Sequence, residues 1–227
     1  PFEFIRVDLG YQNLPVTVIG MGAGLIYSTL GGTHHSMEDI AIASAIPNMT
    51  VLVPGDNIEA EQVIEAAINL TGPVYIRNSA IDQHINIYDK DKFKIGKATQ
   101  LSKGSDATII TTGTMMFQGL EAIRELKENF GLNVRLLQMA SIKPIDSDAI
   151  IKSANETGLI ITVEEHNIIG GLGSAVAEVI SEYSNAQLIR MGIQDQFCGL
   201  VGTPDYLFQN INLTSKSIVN RVIENRK

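Results

Sequence analysis

The chain has 227 residues, a formal charge of −8, a hydrophobic share of 44% and a charged share of 19%, an ordinary globular composition with room for two domains. It contains no run of Lys or Arg, which argues against a nucleic acid or an anionic membrane as partner and leaves any anionic substrate to local cations. The single cysteine, Cys198, has no internal partner for a disulfide, so we expect a buried small side chain and a reducing, cytoplasmic setting.

In chain order, "PVTVIGM" (15–21) predicts a strand and "MEDIAIASAI" (37–46) a helix stopped by Pro47. "TVLVP" (50–54) predicts a strand. "NIEAEQVIEAAINL" (57–70) predicts a helix, with Asp56 and Glu59 spaced as a capping box. "PVYIRN" (73–78) is the next strand. Residues 79–104 turn polar, carry "YDKDKFK" and lose helical periodicity, which predicts a linker ending in a short strand pair near 95–103. A second series follows: strand 106–113, helix 115–130 closed by Gly131, strand 133–140, helix 145–157 capped by Asp146 and closed by Gly158, strand 159–166, helix 173–184, strand 187–193 and helix 215–226. This second series can close its own core. The strands before residue 92 leave a sheet edge unpaired, so further chain before Pro1, or another subunit, is expected to cover it. The longest apolar stretch, "LPVTVIGMGAGLI", is glycine-broken and too short for a bilayer span, and no signal-peptide pattern is present.

Neither glycine cluster fits a nucleotide motif. "GMGAG" (20–24) is followed by loop where the dinucleotide fingerprint needs a helix, and "GGLG" (170–173) has the wrong spacing and reads as close helix packing. No metal-ligand spacing is evident, and Glu164 and Glu165 read as a solvated strand end. In "GGTHHSMED" (31–39), Ser36 is placed as an N-cap with Asp39 at N3. His34 and His35 then precede a helix N-terminus, which biases an imidazole toward its neutral form and suits a hydroxyl-bearing ligand. A ligand loop and a helix-capping turn both satisfy this pattern. Arg77 falls at the carboxyl end of a strand, where ligands collect in open α/β sheets, although an ordinary surface arginine satisfies the position too.

The stretches "GGTHHSMEDIAIASAIPNMTVLVPGDNIEAEQ", "GPVYIRNS" and "VEEHNIIGGLGSAVAEVI" resemble the C-terminal half of transketolases, above all the form split into separate N- and C-terminal subunits, and the resemblance covers essentially the whole chain. It implies an α/β fold of two three-layer domains with mostly parallel sheets: residues 1–92 as a partial pyrimidine-binding domain, like those of thiamine-diphosphate enzymes, and 93–227 as a transketolase C-terminal domain. It implies ketol transfer with thiamine diphosphate and Mg2+, both held mostly by a partner or by segments before Pro1. On the same resemblance His34 is the catalytic histidine at substrate hydroxyls, Thr33 and His35 bind substrate beside it, and Arg77 grips a substrate phosphate. The implied partner is the diphosphate-binding N-terminal subunit, in a homodimer or heterotetramer. The implied substrate is a sugar phosphate or a related ketose.

The departures are specific. The glutamate that activates the aminopyrimidine belongs before Pro1, and the diphosphate signature "GDG" is absent. Leu30 stands where many transketolases have an aspartate at a donor hydroxyl. The loop around Gly22 and Gly24 is shorter and lacks a phosphate-binding histidine, which points to a different donor. Deoxyxylulose-phosphate synthase is expected to show Asp-Arg-Ala-Gly in place of "GMGAG", and a 2-oxoacid dehydrogenase β subunit His-Ser-Gln in place of Thr-His-His. A non-catalytic assembly subunit is the remaining alternative.

Overall fold

The computed structural model describes residues 1–79 and 93–226. Two sheets organise it. The first runs, edge to edge, β1 (Thr17–Met21), β3 (Val74–Asn78), β2 (Thr50–Leu52), β7 (Ser141–Lys143), and the second β4 (Thr99–Ser102), β6 (Val134–Gln138), β5 (Ala107–Thr111), β8 (Leu159–Asn167), β9 (Gln187–Ile193).

The first sheet is built from β1 (Thr17–Met21), β2 (Thr50–Leu52) and β3 (Val74–Asn78), all parallel. Its two faces follow from the two-residue period of a strand. Leu52, Val74 and Ile76 pack under α3 (Asn57–Ala67) with Val63 and Ala67. Val51, Val53 and Tyr75 face the other way, toward α2 (Asp39–Ser44). There Ile40 and Ile46 share one core with Ile110, Ile160, Leu172 and Val176 of the second half of the chain.

The second sheet holds β4 (Thr99–Ser102), β5 (Ala107–Thr111), β6 (Val134–Gln138), β8 (Leu159–Asn167) and β9 (Gln187–Ile193). Only β4 runs antiparallel to its neighbour. Helices α4 (Met115–Phe130) and α8 (Ser215–Asn225) pack on each other and, with Ile109, Leu136 and Ile161, bury one face. Helices α5 (Ser147–Thr157) and α6 (Leu172–Tyr183) cover the other. Both faces are therefore covered, as a parallel sheet requires. Gly131 (φ +66°) and Gly158 (φ +68°) take the left-handed conformation that ends α4 and α5.

The expected unpaired edge is corrected on one side. The three-residue strand β7 (Ser141–Lys143) leaves the second half of the chain and pairs antiparallel with β2, and the Val53 N–H donates to the Ala140 carbonyl at 2.7 Å. The Lys143 ammonium then caps α2, donating to the Ser44 and Ile46 carbonyls at 2.8 and 2.7 Å. The other edge, β1, has no further strand among the described residues, and its Ile19 and Met21 side chains are exposed.

Three elements lie outside the sequence expectation: an N-terminal segment of α1 (Phe2–Phe4) running into a π-helix (Ile5–Tyr11), β7, and α7 (Pro204–Asn210). The expected linker over 79–104 falls in large part on residues 80–92, outside the described residues, and its expected strand pair is one strand, β4, paired with β6. The Asp56 carboxylate accepts from the Glu59 N–H at 2.7 Å as expected, but Glu59 reaches the Gly55 N–H rather than that of Asp56. Among the described residues no helix is long and apolar enough to cross a membrane.

Candidate active site

The parallel strands of the first sheet all end at one rim, and the loop 22–38 leaves it from β1. Gly22 (φ +81°) and Gly24 (φ +63°) turn the chain in a conformation that a side chain would strain. Gly24 and Ser36 then bond reciprocally, N–H to carbonyl, at 3.0 Å in both directions. This bridge closes the loop at its neck. Beyond it lie two 3-10 turns, Ser28–Leu30 and Gly32–His34.

The second turn presents His34 to solvent, with its Nδ1 at 3.1 Å from the Thr33 hydroxyl. Because a hydroxyl can donate or accept, Thr33 can satisfy Nδ1 in either tautomer and leave Nε2 for a ligand. His35 is half-buried, and neither of its ring nitrogens has a partner among the described residues. Burial, with His34 beside it, holds the His35 pKa below its ordinary value. Around the turns, Met21 (59% exposed), Tyr27 and Leu30 (57%) make an apolar margin. Val201 packs near Gly31, the Cys198 carbonyl lies against Gly32, and the Gly202 N–H donates to the Ser28 carbonyl at 3.3 Å, so the loop also leans on the second half of the chain. Cys198 itself is buried, as expected.

Three expectations are corrected here. Ser36 is not an N-cap: α2 starts at Asp39, its N-cap is Glu38, and Ser36 is spent on the neck bridge. The N-terminus of α2 is already engaged, because the Ala41 N–H donates to His166 Nε2 at 3.4 Å. Arg77 is brought under the loop rather than to its open side. The residue is 4% exposed; Nε donates to the Asp39 carboxylate at 2.9 Å, and Nη2 to the Ser36 and Glu165 carbonyls at 2.9 Å each. The Tyr75 hydroxyl donates to the same carboxylate at 2.7 Å. Held this way, the Arg77 guanidinium braces the protein's own loop and does not present a free fork to a phosphate.

The "EEH" at the end of β8 is the set of residues that sequence reasoning misplaced. Glu164, Glu165 and His166 are all buried. Both Glu164 oxygens accept from the first N–H groups of α6, Leu172 at 2.7 Å and Gly173 at 2.8 Å. Desolvation nonetheless pushes its carboxyl up to about 7. A carboxyl raised in the fold stabilises most below the ordinary Glu range, and that contribution is lost as pH rises toward 7. His166, held low mainly by desolvation, has the opposite sign and weakens the fold on acidification. Glu164→Gln separates the two. Between about pH 5 and about pH 8, its unfolding free energy in urea should lose roughly 2 kcal/mol less than the wild type loses. Parallel pH slopes would show that Glu164 titrates normally.

The two roomier grooves lie away from this loop. One, of about 590 Å³, runs between α2, α5 and α6; the other, of about 660 Å³, lies between β9 and α8. At the rim itself, Pro54, Gly55, Asn78 and Thr114 line a small notch.

The family model for the transketolase pyrimidine binding domain matches residues 1–82, and that for the transketolase C-terminal domain residues 96–218. A Methanocaldococcus jannaschii chain described as a transketolase C-terminal section is 42% identical over all of this chain and 71% of its own length. The 6-deoxy-6-sulfo-D-fructose transketolase subunit SqwH of a Clostridium strain is 38% identical over 97% of this chain and 68% of its own. The 1-deoxy-D-xylulose-5-phosphate synthase of Rippkaea orientalis is more distant, at 34% identity with 35% of its length covered. Among solved structures, a split gene transketolase, an inactive beta4 tetramer, superposes with a TM-score of 0.89 at 37% identity, over 98% of this chain and 71% of that one. With both domain models matched in order and close relatives covered over about 70% of their length, the chain belongs to the transketolase family, as a C-terminal section that joins the pyrimidine-binding and C-terminal domains.

Proposed function

We propose that this chain is one half of a thiamine-diphosphate enzyme that moves a two-carbon ketol unit from a ketose to an aldehyde, working with a separate diphosphate-binding subunit in the cytoplasm. The observation that carries this is the exposed Thr33–His34 pair, held on a braced loop at the carboxyl rim of the pyrimidine-domain sheet. The described residues suit the ring end of the cofactor: Met21, Tyr27 and Leu30 are exposed and offer apolar surface on and before the His34 loop. The sequence lacks the Gly-Asp-Gly signature that the family carries at the cofactor's other end, so the metal and diphosphate are assigned to the partner.

Thiamine diphosphate supplies an electron sink for breaking the bond next to a carbonyl. This chain's share is to orient the sugar and handle its protons. His34 Nε2 can bind a substrate hydroxyl as donor or acceptor, with Thr33 completing whichever tautomer that requires. Leu30 supports a donor less hydroxylated at the contact that many transketolases give to an aspartate.

Reconstitution tests the reading. The chain alone should show negligible turnover, and the chain with its diphosphate-binding partner should give thiamine-dependent ketol transfer. Full activity of the isolated chain would refute the shared site. Product analysis with pyruvate as donor separates ketol transfer from synthase or dehydrogenase chemistry. A complex that binds no thiamine diphosphate would make the chain an assembly subunit.

A further inference from the structure

The mouth of the His34 loop is fastened by a residue from the other half of the chain. Strand β8 is paired in register with β9 as far as Val163 and again at Asn167, with an irregularity between them that frees Glu164–His166 from the ladder. Glu165 lies there, fully buried. Its Oε1 accepts from the Leu25 N–H at 2.6 Å, and its Oε2 accepts from the Thr114 hydroxyl at 3.3 Å. Its own carbonyl accepts from Arg77 Nη2, which also holds the Ser36 carbonyl. The Leu25 N–H is one residue from one side of the Gly24–Ser36 bridge, and Ser36 is the other side. Two residues further along β8, the Asn167 N–H donates to the Met37 carbonyl at 2.8 Å. A Cβ on Gly24 would meet the Glu165 carboxyl carbon at 2.4 Å, so the glycine leaves room for that carboxyl and nothing larger.

We propose that Glu165 is a positioning residue for His34, fixing the loop neck through Leu25 and through Arg77 so that the Thr33–His34 turn keeps one place at the rim. Glu165 touches no reacting atom in this scheme. Its effect passes entirely through the neck, and a displacement of about 1 Å at a reacting group is enough to lower rates by about a hundredfold. The proposal rests on the ketol-transfer reading for its kinetic arm only.

The test uses the chain assembled with its diphosphate-binding partner. Glu165→Ala should lower kcat/KM by about 10–100-fold, mostly in kcat, with faster amide exchange in peptides spanning 24–37. Glu165→Gln should recover most of both. Its amide oxygen can still accept from Leu25, and its NH2 can donate to the Thr114 oxygen. In a double-mutant cycle, Glu165→Ala on top of His34→Ala should cost at most about threefold more than His34→Ala alone, because a misplaced histidine and a missing one lose the same contact. Losses that multiply, or loop exchange unchanged in Glu165→Ala, overturn the proposal. Should Glu165→Ala fail to fold, Thr114→Val with Glu165→Gln answers the same question: a smaller loss that vanishes in the His34→Ala background supports it, and one that persists there overturns it. If the wild-type assembly shows no ketol transfer, the functional reading fails, while the exchange measurements still decide whether Glu165 holds the loop.

Discussion

Replacing His34 by alanine is expected to lower kcat/KM for ketol transfer by about 100- to 10,000-fold in the assembled enzyme, the range typical of a lost proton-transfer group. Fold stability should not change measurably. The asymmetry follows from the site: the ring is exposed and among the described residues its one hydrogen bond is to the neighbouring Thr33 hydroxyl, so removing it opens no core cavity there. Comparison of kcat/KM with the urea midpoint checks both halves of the expectation. An unchanged rate would reduce His34 to a turn residue. Thr33→Val should show a weaker version of the same pattern, because His34 then loses the partner that accommodates its change of tautomer.

The second large effect is on stability. Arg77→Met should cost about 3–5 kcal/mol, read as a fall in the urea midpoint. The substitution leaves the largely buried Asp39 carboxylate with the Tyr75 hydroxyl but no cation among the described residues; it also takes the Arg77 donor from the Glu165 carbonyl and leaves the Ser36 carbonyl with the Gly24 N–H alone. Adding Asp39→Leu should restore part of the loss, since removing both charges avoids the uncompensated one. A loss under about 1 kcal/mol, together with a raised KM confined to phosphorylated substrates, would return Arg77 to the phosphate-gripping role read from the resemblance.

These two residues show what the sequence made legible. The Thr33–His34 pair is local chemistry on a short loop, and its exposure follows from the glycines around it. The alternating strands and helices were legible for the same reason: α4 and α5 announce themselves through apolar periodicity, an Asp146 cap and left-handed glycines at their ends. Arg77 was legible in position, at a strand end, but not in partner, because Asp39, Ser36 and Glu165 converge on it only in three dimensions. Glu164 and Glu165 misled for the same reason. A charged pair at a strand end implies solvent unless another segment supplies donors, and here α6 and Leu25 supply them. Ser36 had the composition of a cap, but the neck bridge claimed its backbone. Helix α7 did carry a readable signal, since Thr203 caps it and Pro204 opens it, yet its seven residues give little periodicity to draw attention. Strand β7 carried none: three residues before a proline specify a strand only because β2 has a bare edge to receive them.

That crossing by β7 has a consequence for how such genes can be recombined. A chimera cut within 80–92 would take the His34 loop from one relative and the strand β7, together with the lysine that caps α2, from another. The two halves therefore share one sheet, and a chimera has to bring β7 and its lysine into the same register against β2.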